Sequence, residues 1–284
     1  MAKKITRRKF IKNSIVSLFI LACIGLVSRF YAKYIEPYWI DITYHTISHK
    51  LIPSGFSGTK IVQFSDTHLG YQFQIGDLKK CVHTINQLKP DIVLFTGDLL
   101  DRPNEYPLTT EISNTLKQIK APMGKYSIFG NHDHGGNGTS NYEKIMHDSD
   151  FHLLKNQNVM ISNSINQSIY LAGIDEPMLG TPSWEETMHN IPENAFSILL
   201  SHAPDFAERT KELPIALQLS GHSHGGQIQL PIIGAFVTPP FAKHYYDGLY
   251  RLMSLTLYVN RGLGTTRLPY RFCSRPEISV FHLQ

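Results

Sequence analysis

The chain has 284 residues, 42% of them hydrophobic, enough for one α/β domain with a large core and too many for an intrinsically disordered chain. Its formal charge of +4 is unevenly placed: residues 1–28 hold six basic side chains and no acid, so the remainder has 21 of the 27 basic residues against 23 acidic ones, a net of −2. A slightly acidic body argues against nucleic acid as a partner, and Cys23, Cys81 and Cys273 have neither a metal-binding spacing nor a disulfide framework.

The N-terminus carries Lys3, Lys4, Arg7, Arg8, Lys9 and Lys12, followed by the apolar run Ile15–Val27, the pattern of an export signal. The paired Arg7 and Arg8, with Phe10 and Lys12 after them, resemble the twin-arginine signal of proteins that fold before export. As a helix the apolar run covers about 20 Å, short of a hydrocarbon core of about 30 Å, and Phe30, Tyr31 and a snorkelling Arg29 extend it. No A-x-A cleavage pattern precedes Lys33. Residues 1–32 therefore read as a twin-arginine-like export signal or a retained membrane anchor, residues 33–57 as a linker and first strand region, and residues 58–284 as the main domain. This places the body on the outer face of a cytoplasmic membrane, anchored or released, with the twin-arginine export machinery and the membrane surface as partners.

Along the body, strand-like runs end in polar clusters. Lys60–Ser65 is a β-branched run ending at Asp66, and Asp77–Leu88 follows with apolar residues at helical spacing. Asp91–Thr96 is a second buried strand, Glu111–Lys120 a helix, and Lys125–Phe129 a third strand. Ser197–Leu200 and Ala216–Leu219 repeat the pattern, and Leu255–Val259 and Ile278–Phe281 are strands of the tail. This alternation predicts an α/β class, and the carboxyl ends of its strands are where a crevice gathers ligands.

The clusters at those ends are Asp66-Thr67-His68, Gly97-Asp98-Leu99-Leu100-Asp101, Gly130-Asn131-His132-Asp133, Ser201-His202 and Gly221-His222-Ser223-His224. Imidazole nitrogens with carboxylate and amide oxygens, and no thiolate, suit manganese, iron or zinc. Taken singly, Asp66 or Asp98 could be a turn residue, Asn131 a left-handed turn residue and His202 a satisfied loop histidine. Jointly and in this order they resemble the calcineurin-like metallophosphoesterase family, whose pattern is D-x-H, G-D-x-x-D, G-N-H-[DE], a lone His and G-H-x-H. The export signal and the tail Arg261–Phe272 are similar to an exported bacterial branch of it.

That resemblance implies a sandwich of two mixed β-sheets flanked by helices and a phosphodiesterase or pyrophosphatase with two divalent ions, manganese first among them. Asp66, His68 and His224 would hold one ion, Asn131, His202 and His222 the other, with Asp98 between them. The ions would activate a shared water to attack phosphorus. His132 would protonate the leaving oxygen or stabilise the transition state, oriented by Asp101. Asp133 and His134 read as solvated loop residues, and Asp175 as either facing the site or starting a turn. Arg261, Arg267 and Arg271 are candidates to clamp a substrate phosphate. A phosphate ester of the cell envelope or a lipid-linked pyrophosphate fits an exported enzyme better than a nuclease substrate does. A binding scaffold that has lost turnover is the alternative outside enzymes. The uncharged stretch Ile228–Phe241 reads either as a core hairpin or as an apolar rim beside the ions, with Ile232, Ile233, Phe236, Phe241, Tyr245 and Tyr246 facing lipid.

Overall fold

A computed structural model describes residues 6–107, 109–135 and 138–284, so Lys3 and Lys4 of the basic flank lie outside the described residues. Helix α1 (Arg7–Tyr34) is followed by strands β1 (Asp41–Ile47) and β2 (Lys60–Phe64), helix α2 (Ile75–Leu88), β3 (Ile92–Phe95) and α3 (Thr109–Lys117). Then come β4 (Lys125–Ser127), α4 (Gly138–Asp148), β5 (His152–Leu153), β6 (Gln157–Ser162), β7 (Ser168–Gly173), β8 (Ser197–Leu200) and β9 (Leu217–Ser220). The chain finishes with β10 (Gln229–Leu230), β11 (Gly234–Ala235), β12 (Gly248–Leu252), β13 (Leu255–Val259) and β14 (Glu277–Leu283).

Two six-stranded sheets result, ordered β1-β14-β2-β3-β4-β5 and β12-β13-β9-β8-β7-β6, with β10 and β11 as a separate two-stranded hairpin. Both sheets are mixed: β2 to β5 run parallel while β14 opposes β2, and β13, β9, β8 and β7 run parallel while β12 and β6 oppose their neighbours.

Residue alternation explains why the sheets stack. Ile61, Ile92 and Leu94 point into a core shared with Ile198, Leu200, Leu217 and Leu219 of the other sheet, closed by Tyr258 and Phe281. Their alternates Val62, Phe64, Val93 and Phe95 face the opposite way, onto Leu78, Cys81, Val82 and Ile85 of α2 and onto Ile112, Leu116, Ile145 and Met146 of α3 and α4. A strand buried on both faces reads as a continuous apolar run, as β2, β3 and β8 do.

Residues 33–57 hold a short 3-10 turn and the first strand. β1 pairs along its whole length with β14, Glu36 and Pro37 are buried in a short 3-10 turn, and the Ser274 N–H donates to Glu36 Oε1 at 2.6 Å. Helix α1, by contrast, buries only Ala32 and exposes its apolar side chains from Phe10 to Phe30. Its stretch is apolar and long enough to cross a membrane, at 28 residues or about 42 Å.

The candidate metal centre

All five clusters meet at the carboxyl ends of β2, β3, β4, β8 and β9. To turn there the backbone adopts left-handed angles at Asp66 (φ 49°), His68 (40°), Asp98 (58°), His222 (71°) and His224 (52°), a conformation that costs a non-glycine residue energy unless its surroundings impose it. Gly97 permits a close approach of two site loops: at φ 96°, a Cβ on it would lie 2.4 Å from the Gly130 nitrogen.

The side chains form two facing imidazole pairs around one carboxylate. His68 Nε2 lies 3.0 Å from His224 Nε2, and His202 Nε2 lies 3.1 Å from His222 Nδ1. Asp98 Oδ2 sits 3.4 Å from both His68 Nε2 and His202 Nε2. Asp66 Oδ1 is 3.5 Å from His224 Nε2, while both Asp66 oxygens accept from the His222 N–H at 3.0 Å. The Oδ1 of Asn131 is buried without a hydrogen-bond partner, as a ligand atom awaiting an electrophile would be.

Two of the outward ring nitrogens are pinned by backbone carbonyls. His202 Nδ1 meets the Thr96 carbonyl at 2.7 Å and His222 Nε2 the Pro240 carbonyl at 2.8 Å, which fixes each tautomer and turns the other nitrogen's lone pair inward. His68 Nδ1 lies 3.4 Å from Asp101 Oδ1, and His224 Nδ1 faces the Gly264 carbonyl at 3.3 Å. Two neutral imidazoles would set lone pairs against each other at such distances, so each pair needs a proton or a metal cation between its nitrogens. The donor set fits a cation between each pair.

Charge tells the same story. Burial alone pushes His68 and His202 down, but Asp101 and Asp98 for the first, and Asp98 and Asp66 for the second, outweigh it and raise them to about 9 and about 10. Their partners move the other way: burial and the neighbouring imidazolium hold His222 down to about 3 and His224 well below the usual histidine range. Each pair therefore keeps one proton, a unit of positive charge where a metal ion would stand.

Residues 59–226 match the model of the family described as calcineurin-like phosphoesterase. The chain belongs to that family. It is 47% identical over 282 residues, 99% of either chain, to the uncharacterized metallophosphoesterase YkuE of Bacillus subtilis (strain 168). It is 28% identical to the UDP-2,3-diacylglucosamine pyrophosphatase LpxG of Chlamydia muridarum, with 94% of this chain and 96% of that one covered. With the phosphodiesterase YaeI of Escherichia coli (strain K12) it shares 26% identity over 98% and 99% of the two chains. Family membership makes this metallophosphoesterase a phosphoric ester hydrolase with clustered His and Asp residues suited to metal binding.

Several sequence expectations change on contact with the geometry. Asp133 is not solvated: it is buried and its carboxylate accepts from the N–H groups of Asp98, Leu99 and Gly130 at 2.7 to 3.0 Å, locking two site loops together. His134 is equally unlike a loop residue, with its ring stacked on Phe129 and Nε2 2.8 Å from Asp175. Burial raises Asp175, but hydrogen bonds from His134 and from the N–H groups of Thr181 and Glu176 outweigh it and hold its carboxyl below the usual range. Asp175 therefore starts a turn and does not line the cleft.

Arg271 is fully buried beneath His224, donating to the carbonyls of Arg261, Gly262, Gly264 and Ser274. Arg261 pairs with Asp41, Asp247 and Glu277. Neither reaches the cleft, because the carboxylates and carbonyls around them already take their guanidinium protons. Arg267 alone of the three lines it. Asp101 also acts differently from expectation: its backbone carbonyl, not its carboxylate, meets His132 Nδ1 at 2.9 Å.

The cleft over the centre has a volume of about 400 Å³. His68, Asp98, Asn131, His132 and His222 form its floor, and its walls include Met178, Ile228, Phe236, Val237 and Leu268. Loading the metal-free protein with Mn²⁺ at pH 7 is expected to release protons, since His68 and His202 are raised and must give theirs up to coordinate. An indicator dye in weak buffer reads this, and metal uptake without proton release would contradict the charge assignment.

Proposed function

We propose that the protein hydrolyses a phosphodiester or pyrophosphate bond of a lipid-linked cell-envelope substrate with the help of two divalent ions. The observation that carries this reading is the pair of facing imidazole couples around Asp98 Oδ2, at the floor of a cleft whose walls are apolar. Asp66, His68 and His224 would hold one ion and Asn131, His202 and His222 the other, with Asp98 shared. Manganese, iron and zinc all suit this nitrogen and oxygen set, and manganese is the ion proposed. When bound, such a pair neutralises the phosphoryl oxygens and makes a nucleophile from water at neutral pH.

The chain's own residues do the rest. His132 is held by its backbone N–H on Asp98 Oδ1 at 2.8 Å and by Nδ1 on the Asp101 carbonyl, which leaves Nε2 free to give a proton to the leaving oxygen. Arg267 at the rim offers a guanidinium to a second phosphate or headgroup. Met178, Phe236, Val237 and Leu268 would lie against the aliphatic part of an amphiphile and exclude water from the reacting phosphorus. The substrate for which LpxG is named, UDP-2,3-diacylglucosamine, is a diacylated nucleotide sugar, which supports a lipid-linked ligand.

Helix α1, basic ahead of its apolar stretch, supports delivery to the outer face of the membrane, with retention as an anchor. Export of a folded body suits a metal centre, because the ion is chosen in the cytoplasm before another metal pool is met.

Asp98→Asn is expected to lower metal occupancy at both positions and remove most activity, because one carboxylate serves two ions. Elemental analysis finding two full equivalents with normal turnover would defeat the shared assignment. His132→Ala should retain both metals and substrate binding while kcat falls about 10²–10⁴-fold. Replacing Arg7 and Arg8 together by lysine is expected to strand the protein in the cytoplasm, and fractionation that still finds it outside would exclude the twin-arginine route.

A further inference from the structure

Helix α1 and the hairpin β10–β11 are rooted on the same residue. The Tyr31 ring meets the Phe272 ring edge-on at 6.3 Å, and the Arg271 N–H donates to the Ala32 carbonyl at 2.8 Å. On its backbone, Phe272 pairs with the hairpin's root: its N–H donates to Gln227 at 2.9 Å and its carbonyl accepts from the Gln229 N–H at 2.8 Å. From Ile228 the tip at Ile232 is four residues away, no more than about 14 Å. The apolar helix and the hairpin tip thus leave the body close together.

The tip is built against the ordinary rules of a turn. Ile232 has φ 74°, a turn position at which glycine or asparagine is normal and a β-branched residue is strained. Its side chain is fully exposed, and Ile233, Phe236 and Val237 are 68%, 65% and 72% exposed. Among the described residues none covers that surface. From Ile228 to Ala242 no residue is charged. Around the root stand the groups that favour a headgroup layer: Tyr270 with Arg29 above its ring at 6.0 Å, and exposed Arg267. Phe236 and Val237 belong at once to the hairpin and to the cleft wall.

We infer that the β10–β11 hairpin dips into the lipid bilayer beside helix α1, so that the mouth of the metal cleft opens at the membrane surface. This rests on the reading of α1 as a retained anchor and deepens the lipid-linked substrate class: an amphiphile would enter the cleft along Phe236, Val237 and Leu268 without leaving the bilayer. Anchoring by one helix alone would let the body rotate, whereas a second apolar contact fixes which face looks down.

The test uses the full chain in phosphatidylcholine vesicles whose acyl chains are brominated. Ile233→Trp should show quenching beyond that of the native Trp39 and Trp184, while Met160→Trp, on the exposed edge strand β6, should show none. No excess quenching at position 233 would overturn the inference and leave the tip to a protein partner. Because quenching needs no turnover, it fails or succeeds separately from the proposed reaction. As a second measurement, Ile232→Ser with Ile233→Ser should lower hydrolysis of a bilayer-resident phosphodiester roughly tenfold and spare a water-soluble one, since neither residue lines the cleft. Equal losses on both substrates with a lower Tm would instead make the tip a structural element and defeat the proposal.

Discussion

The centre depends on where one carboxylate is held. Asp98 leaves β3 with a left-handed backbone, puts Oδ2 midway between His68 and His202, and gives Oδ1 to the His132 N–H. Its own N–H is held by Asp133 at 2.7 Å. Burial alone would raise its carboxyl, but the charges of His202 and His132 and the hydrogen bonds from His202 and His68 outweigh this and keep it well below the usual range. The group is therefore an anion in a place where only cations can make an anion stable. Moving it by an ångström would disturb both imidazole pairs and the catalytic candidate together.

Holding that geometry requires rigid support. Five site residues sit in the left-handed region, and two buried polar groups compensate for them from below. Asp133 gathers three N–H groups from the β3 and β4 loops, and Arg271 gathers carbonyls from the Arg261–Gly264 and Ser274 turns under His224. A buried guanidinium with several carbonyl partners and no paired carboxylate is costly, and burial, with Arg261 nearby, lowers its pKa to about 9. Of the carbonyls it satisfies, those of Arg261 and Ser274 have no other partner among the described residues, so removing it would leave buried polar groups unpaired.

The sheet-and-cluster layout was legible because β2, β3 and β8 are buried on both faces and their polar termini are abrupt. β8 and β13 have the boundaries that the sequence predicts, and the other anticipated strands agree to within a few residues. Helix α4 was not anticipated, although Tyr142, Ile145 and Met146 carry the spacing, because glycine and polar residues dilute its first turn. The antiparallel pair β6–β7 also escaped notice, since β6 lies at a sheet edge and mixes exposed and buried side chains without a clean alternation. Among site residues, the chemistry of Asp133 and the arginines could not be read from type alone. Their roles depend on which backbone groups a tertiary turn leaves unpaired, and no local pattern records that.

The apolar hairpin illustrates a different limit. Its composition fits a buried strand as well as an exposed tip, and hydrophobic periodicity cannot separate them over so short a run. What separates them is the backbone. A core hairpin would place glycine or asparagine where Ile232 turns and would pack its side chains; here the turn is strained and the side chains meet solvent. The rest of the fold carries the cost of that turn, and strain kept at an exposed apolar tip points to a functional surface. Helix α1 is rooted beside the same hairpin through Tyr31 and Phe272, and the proposal gives both one apolar phase to enter. The same few residues from Gln227 to Val237 thus join the ligand loop of His224 to the proposed membrane contact, so that a phosphoester emerging from the bilayer would meet the ions before it met water.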